Sequence, residues 1–295
     1  MELPEGFDQF WKDLIQEVAS VHIEWDRLQR SQVVESRGKS WRIDWIRFSS
    51  VDNTLVQGWV AVPFDHELNH AGLLWLPGYS YGTPGPDDSN LVAGTVTLAI
   101  NVHGNAPDAP YINPSGKDDY ILNGIDNPHT YIYRKIVGHC LMAMNVLQQT
   151  PEVTKGMAPI GMSQGGGLAL LVASLDRRSK ICCADMPFLA DIRRALAVSR
   201  SGAYRTLKDY VDRYPKSLDT ILLFDSLYHA DRIAVPTWMS AGGKDPHCRP
   251  ETVEAVFEKI AARVKHYEYF PTAGHVFMPE MNTAYERMTR DYLLE

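Results

Sequence analysis

Six short stretches of this chain are apolar or rich in β-branched and aromatic residues, and stretches of helical character alternate with most of them: Ala71–Pro77, Val96–Val102, Met157–Gly161, Ile181–Ala184, Val235–Ala241 and Lys265–Phe270. Several are apolar on both faces, the pattern of strands covered by helices on both sides. Helical segments are predicted near 131–148, 165–175, 251–263 and 279–294. Strands alternating with helices imply a parallel sheet with right-handed crossovers. Upstream, Phe7, Phe10, Trp11, Leu14, Ile15 and Val18 line one face of a helix over 7–18. Trp41–Phe48 and Leu55–Val62 alternate with period two around the turn residues Asp52–Asn53, which predicts an antiparallel hairpin on the sheet's edge. The expected fold class is therefore α/β: a mostly parallel central sheet, antiparallel N-terminal edge strands and helices on both faces. Residues 104–130, rich in Pro, Gly, Asn and Asp, read as a long surface loop, and no linker divides 1–295, so one domain is expected.

Composition narrows the function. Lys and Arg total 29 against 36 Asp and Glu, a formal net charge of −7 without a basic cluster. That balance disfavours nucleic-acid and anionic-membrane partners. No run approaches the roughly 20 apolar residues of a membrane span. Met1–Glu5 lacks a charged n-region and an apolar h-region, so no signal peptide is visible and a cytoplasmic location is expected. Cys140, Cys182, Cys183 and Cys248 are too few and too irregular for a disulfide scaffold. Adjacent Cys182–Cys183 read as small hydrophobes on a buried strand. His247–Cys248 has no further ligand at matching spacing, so no metal and no cofactor are expected.

The chemistry points to Gly161-Met-Ser163-Gln-Gly165. It follows a predicted strand and opens a small-residue helix, the strand–turn–helix context of a nucleophile elbow. Ser163 would project above the sheet at a helix N-terminus. The Gln164 backbone N–H would serve as one oxyanion donor. A serine hydroxyl needs a base. Of the 10 histidines, His22, His66, His70 and His129 precede the nucleophile, against the Ser, Asp, His order of this architecture, and His266 lies inside a strand. His229 and His247 do not end one. His275 follows the strand 265–270 directly, which sets it on the same rim as Ser163. Asp245, just after the strand 235–241, is the candidate acid that would fix the imidazole tautomer. Asp185 is its strongest competitor, ahead of Asp225 and Asp231. The loop Leu76-Pro-Gly-Tyr79 would supply the second oxyanion donor through the Tyr79 N–H.

The same residues carry a resemblance. Phe7-Asp-Gln-Phe-Trp, Pro77-Gly-Tyr79, Asp126–Arg134, Gly161–Leu168, Asp185-Met-Pro-Phe-Leu, Phe224-Asp225, Ala230-Asp-Arg232, Gly243-Lys-Asp245 and Gly274-His275 resemble the acetyl xylan esterase / cephalosporin C deacetylase family of carbohydrate esterases. The resemblance implies an α/β-hydrolase fold and a metal-free Ser163–His275–Asp245 triad with oxyanion donors at Tyr79 and Gln164. It implies an acetylated sugar or related small ester as substrate, and a homo-oligomer, usually a hexamer. Tyr81 and Phe188, with Tyr79, are candidate wall residues limiting the acyl group; the alternative is plain core. The chain departs from the family where His103-Gly104-Asn105 replaces an Arg-Gly-Gln motif, where His139 replaces an aspartate, and where Val276 follows the histidine. The loop 104–125 also looks short for the family. If the arginine and aspartate form an ion pair in the family, both partners are lost together here. Two other readings stand beside the esterase: a peptidase or acyl-peptide hydrolase, which shares GxSxGG but usually needs a large gating domain, and a non-catalytic α/β-hydrolase scaffold.

Overall fold

The computed structural model describes residues 2–64, 69–105, 108–111, 113–115, 120–199 and 202–294. His66 and parts of the 104–130 segment lie outside them. The chain opens with α1 (Phe7–Ser20), whose Phe7, Phe10, Trp11, Leu14 and Val18 are buried as the periodicity predicts. Then follow β1 (Trp25–Ser36), β2 (Lys39–Ser49), β3 (Leu55–Pro63), β4 (His70–Leu76), β5 (Tyr81–Thr83), β6 (Thr95–Ile100) and β7 (Asn113–Ser115). The second half runs α2 (Ile132–Gln149), β8 (Val153–Met162), α3 (Gln164–Leu175), β9 (Cys182–Asp185), α4 (Ile192–Val198), α5 (Gly202–Arg213), α6 (Ser217–Leu222), α7 (Ser226–His229), β10 (Thr237–Gly242), α8 (Pro250–Lys259), β11 (Lys265–Phe270) and α9 (Pro279–Tyr292).

A 9-stranded sheet orders them β1-β2-β3-β6-β4-β8-β9-β10-β11. From β6 to β11 every neighbour is parallel, and β1, β2 and β3 form the antiparallel edge. The expected hairpin is β2–β3, with Trp45 opposite Trp59. The additional strand β1 pairs along β2 and covers the hairpin's outer edge. Trp41 and Trp59 are buried, and the Trp59 Nε1–H donates to the Pro84 carbonyl at 2.6 Å.

Apolar side chains fill both faces of the sheet. One cluster joins β4, β6 and the inner faces of α1, α2 and α3. Another places α9, through Met281, Tyr285 and Met288, against Leu73, Ile160 and Cys183. This two-sided cover is what apolar strands such as β6, buried at every position, require. The 104–130 segment departs from the surface-loop expectation. Asn113–Ser115 pairs with Tyr81–Thr83, a 3₁₀ turn forms at Tyr120–Leu122, and Tyr120, Ile121 and Ile125 are buried. Its apolar residues are too widely spaced to show periodicity, yet Tyr120, Ile121 and Ile125 pack into the core.

Candidate active site

Ser163 sits where β8 ends and α3 begins, at φ 60° and ψ −124°. Positive φ at a non-glycine costs on the order of 1–3 kcal/mol, so the surroundings must hold it. They do: its N–H donates to the Asp185 carbonyl at 2.9 Å, and its own carbonyl accepts from Phe188 at 2.8 Å and Gly167 at 3.0 Å. The glycines of the motif answer a second constraint. A Cβ on Gly165 would lie 2.0 Å from the Leu76 carbonyl oxygen, and one on Gly161 2.6 Å from the Gly165 carbonyl carbon. The turn is therefore pressed against the end of β4, and α3 starts at the sheet's carboxyl rim.

Two other loops reach that rim. The turn after β10 carries Asp245, and the turn after β11 carries His275. They are tied together by Gly243 N–H to Phe270 O at 2.8 Å and Lys244 N–H to Ala273 O at 2.9 Å. Asp245 is fully buried. Its Oδ1 accepts the backbone N–H groups of His247 (2.8 Å) and Cys248 (2.9 Å). Its Oδ2 accepts from His275 Nδ1 at 2.6 Å. With the ring proton held on Nδ1, Nε2 is the nitrogen left to take a proton. Ser163 and His275 line one cleft of about 550 Å³.

The competing aspartates have other work. Asp185 is fully buried and accepts from Trp238 Nε1 at 3.0 Å, from Ser240 Oγ at 2.5 Å and from the Tyr285 hydroxyl. Burial raises its pKa above the usual carboxylate range, against those three hydrogen bonds. Asp225 caps α7, accepting from Leu227 N–H at 3.0 Å and from Ile192 N–H at 2.7 Å. Asp231 lies in a 3₁₀ turn ahead of β10.

Gln164 is the first residue of α3, where backbone N–H groups lack intrahelical acceptors. Its buried side chain is fixed from two sides. Oε1 accepts the hydroxyls of Tyr120 and, at 2.8 Å, Tyr133. Nε2 points at the Gly78 carbonyl at 3.4 Å. Burial raises both phenols' pKa, so they remain neutral donors. This network links α3 to the Pro77-Gly78-Tyr79 loop that carries the other expected donor. Gly78 and Tyr79 also line the cleft.

The cleft is largely aromatic. Tyr79, Tyr81 and Phe188 all line it. Phe188 packs against Tyr204 (ring centroids 4.4 Å) and Tyr79 (6.3 Å), whereas Tyr81 is exposed at the mouth. Left-handed backbone at Met186, Leu189 and Asp191 aims this segment around the serine. Sequence reasoning missed Trp75, Met162, Tyr204, His247, Cys248 and Phe277 as lining residues. Position after Asp245 and after His275 was the available signal for His247, Cys248 and Phe277. The His247 ring lies edge-on to His275 at 5.4 Å, and burial, then the neighbouring imidazole, lowers its pKa. The thiol of Cys248, one ring nitrogen of His275 and a carboxylate oxygen of Asp245 lie within 4.8 Å of one another.

The residues at which the resemblance breaks form their own contacts. His139 engages the Val102 carbonyl through Nδ1 (2.8 Å) and Asp52 through Nε2 (3.3 Å). Burial pushes the Asp52 carboxyl up, but hydrogen bonding and charge from His139, with help from Thr54, hold it well below the usual range. His103 packs edge-on to Tyr120 at 4.3 Å. Asn105 Oδ1 accepts from the Gln57 N–H at 3.0 Å.

The family profile described as acetyl xylan esterase (AXE1) matches residues 1–290. Acetyl esterase Axe7A of Xylanibacter ruminicola is 25% identical over 278 residues, which is 88% of this chain but 61% of that relative. The chain thus spans about three fifths of that relative's length. An acetyl xylan esterase from Paenibacillus sp. R4 superposes with a TM-score of 0.85 at 27% identity, covering 99% of this chain and 96% of its own. Acetyl xylan esterase 1 from Thermoanaerobacterium sp. JW/SL YS485 shares the fold, with a TM-score of 0.83, 24% identity and coverages of 98% and 94%.

Proposed function

The chain belongs to the acetyl xylan esterase family, and on that premise we propose that it is a serine carboxylesterase removing acetyl groups from acetylated sugars or related small esters. One observation carries the reading. A buried aspartate, held by two backbone N–H groups, fixes the Nδ1 side of an imidazole that shares one cleft with a strained, helix-capping serine. Ser163 Oγ attacks the acyl carbonyl while His275 Nε2 takes its proton. Asp245 stabilises the imidazolium that forms. The oxyanion is met by the N–H groups of Tyr79 and Gln164. His275 then returns the proton to the leaving alcohol, and water activated by the same nitrogen hydrolyses the acyl-enzyme. The Tyr79, Phe188 and Tyr204 rings keep the acyl side narrow. Family resemblance supports assembly as a homo-oligomer, usually a hexamer, which sedimentation checks.

Hydrolysis of an aryl acetate tests the chemistry. Ser163→Ala is expected to lower kcat by about 10⁴-fold or more. Equal rates in the two proteins would leave a non-catalytic scaffold. Across acetate, butyrate and octanoate esters, kcat/KM is expected to fall with chain length; preference for octanoate overturns the narrow acyl site. A peptide cleaved faster than acetate would favour the peptidase reading.

A further inference from the structure

The corner that holds Asp245 and His275 also holds a thiol. Cys248 is brought there by the turn itself, because its N–H and that of His247 close on Asp245 Oδ1. Sulfur, imidazole nitrogen and carboxylate oxygen converge within 4.8 Å. We propose that Asp245, Cys248 and His275 form an inhibitory binding site for a thiophilic divalent cation of the zinc class. The site is distinct in chemistry from the esterase reaction. Its inhibitory consequence rests on the esterase reading, whereas ion capture does not.

Chemistry and electrostatics favour this ion class. Zinc takes thiolate at about 2.3 Å and imidazole or carboxylate at about 2.0–2.2 Å, commonly in a tetrahedral site. The three groups are close enough to reach one ion with side-chain adjustments of about an ångström, given those bond lengths. Capture breaks the Cys248 S–H bond, forms a metal–sulfur bond and releases that proton to solvent. The imidazole keeps one proton, on the nitrogen that does not bind the ion. Dication, thiolate and carboxylate then sum to zero charge, which suits a corner where Asp245 and Cys248 are almost wholly buried. A hard oxygen-seeking cation such as magnesium is a poor match for sulfur and nitrogen. Entry is through the cleft, which both Cys248 and His275 line. The fourth position is left to water. Ligation takes His275 out of its hydrogen bond to Asp245, so the base is disabled while the ion stays.

The ligands come from two loops, so their spacing along the chain resembles no metal motif. The remaining cysteines lie elsewhere, Cys140 within α2 and Cys182 and Cys183 within β9.

Zinc and cadmium salts, the latter for its thiolate-to-metal ultraviolet absorption, are the probes. Wild type is expected to lose aryl acetate hydrolysis as either ion is added, to show the cadmium–thiolate band, and to melt at higher temperature with the ion bound. Ser163→Ala keeps the band and the melting shift, because the serine is not a ligand. Cys248→Ser and Cys248→Ala, each compared with its own metal-free rate, lack the band and need at least about tenfold more ion for half inhibition. A band of undiminished strength in both Cys248 variants, no band in wild type, or an unchanged inhibition midpoint overturns the site. If Ser163→Ala stays active, the esterase reading fails, while the band still decides whether the ion binds.

Discussion

Asp185 ends β9 and Asp245 lies in the turn after the neighbouring β10, and both are fully buried. What separates them is their partners. Asp185 spends its oxygens on an indole, a serine and a phenol, and burial raises its pKa. Asp245 spends one oxygen on backbone N–H groups and the other on His275. Asparagine at 245 can still accept the two backbone donors, but its amide nitrogen would face Nδ1 and force the wrong imidazole tautomer. Asp245→Asn is therefore expected to lower kcat by about 10⁴-fold at nearly unchanged melting temperature. Asp185→Asn should do the reverse, costing about 1–3 kcal/mol of stability with kcat close to wild type. Paired kinetics and thermal melts of the two variants decide it. A large kcat loss in Asp185→Asn alone would exchange the roles.

At the level of elements, the parallel strands were readable because burial on both faces leaves nearly unbroken apolar runs. Ser163 was a candidate because it directly follows β8, and Asp245 and His275 because they lie in the turns after β10 and β11, although β11 is itself mostly exposed or half-buried. Strand β1, Trp25-Asp-Arg-Leu-Gln-Arg, was not. An edge strand with one neighbour needs few apolar residues, and Arg27 instead makes ion pairs with Asp44 (2.7 Å) and Glu152 (2.8 Å). Helices α4 to α7 escaped notice because most are too short to establish a period, and Tyr120 was missed because the residues around it form a single 3₁₀ turn. Contact distances make the elbow testable. At Gly165 an added Cβ collides with backbone of Leu76, so Gly165→Ala must push α3 off β4 and displace Gln164 and Tyr79, the proposed oxyanion donors. A displacement of about 1 Å can cost about 10²-fold, which is the expected fall in kcat. At Gly138, inside α2, the same methyl meets only Val51 at 3.4 Å and Leu14 at 3.5 Å. Gly138→Ala is expected to stabilise by about 0.5–1 kcal/mol without changing kcat. Denaturant titrations and kinetics on both check the pair, and a fully active Gly165→Ala would deny the close packing its importance.

Across the whole molecule, two groups buried at opposite ends of α7 give stability opposing dependences on pH. His229 lies among Phe7, Trp11 and Ser174, with Nδ1 2.8 Å from Ser174 Oγ and Nε2 3.2 Å from the Leu223 carbonyl. Burial, and secondarily the charge of Arg232, lowers it to about 3. An unfolded histidine takes its proton near pH 6.5, so between about 6.5 and 3 the unfolded chain binds more protons and acidification destabilises the fold. Asp225 is shifted the other way. Burial raises it to about 7 despite the N–H groups of Leu227 and Ile192. Between about 4 and 7 the folded chain holds the extra proton, so acidification stabilises there. The two slopes cancel over most of the shared window, each amounting to at most about 1.4 kcal/mol per pH unit. Unfolding free energies measured by denaturant from pH 7.5 to about 4, above the acid limit of both windows, should therefore separate them. The wild-type advantage over His229→Gln should shrink as pH falls below 6.5, and that over Asp225→Asn should grow as pH falls from 7. Differences independent of pH in both variants would mean that neither group changes its proton affinity on folding.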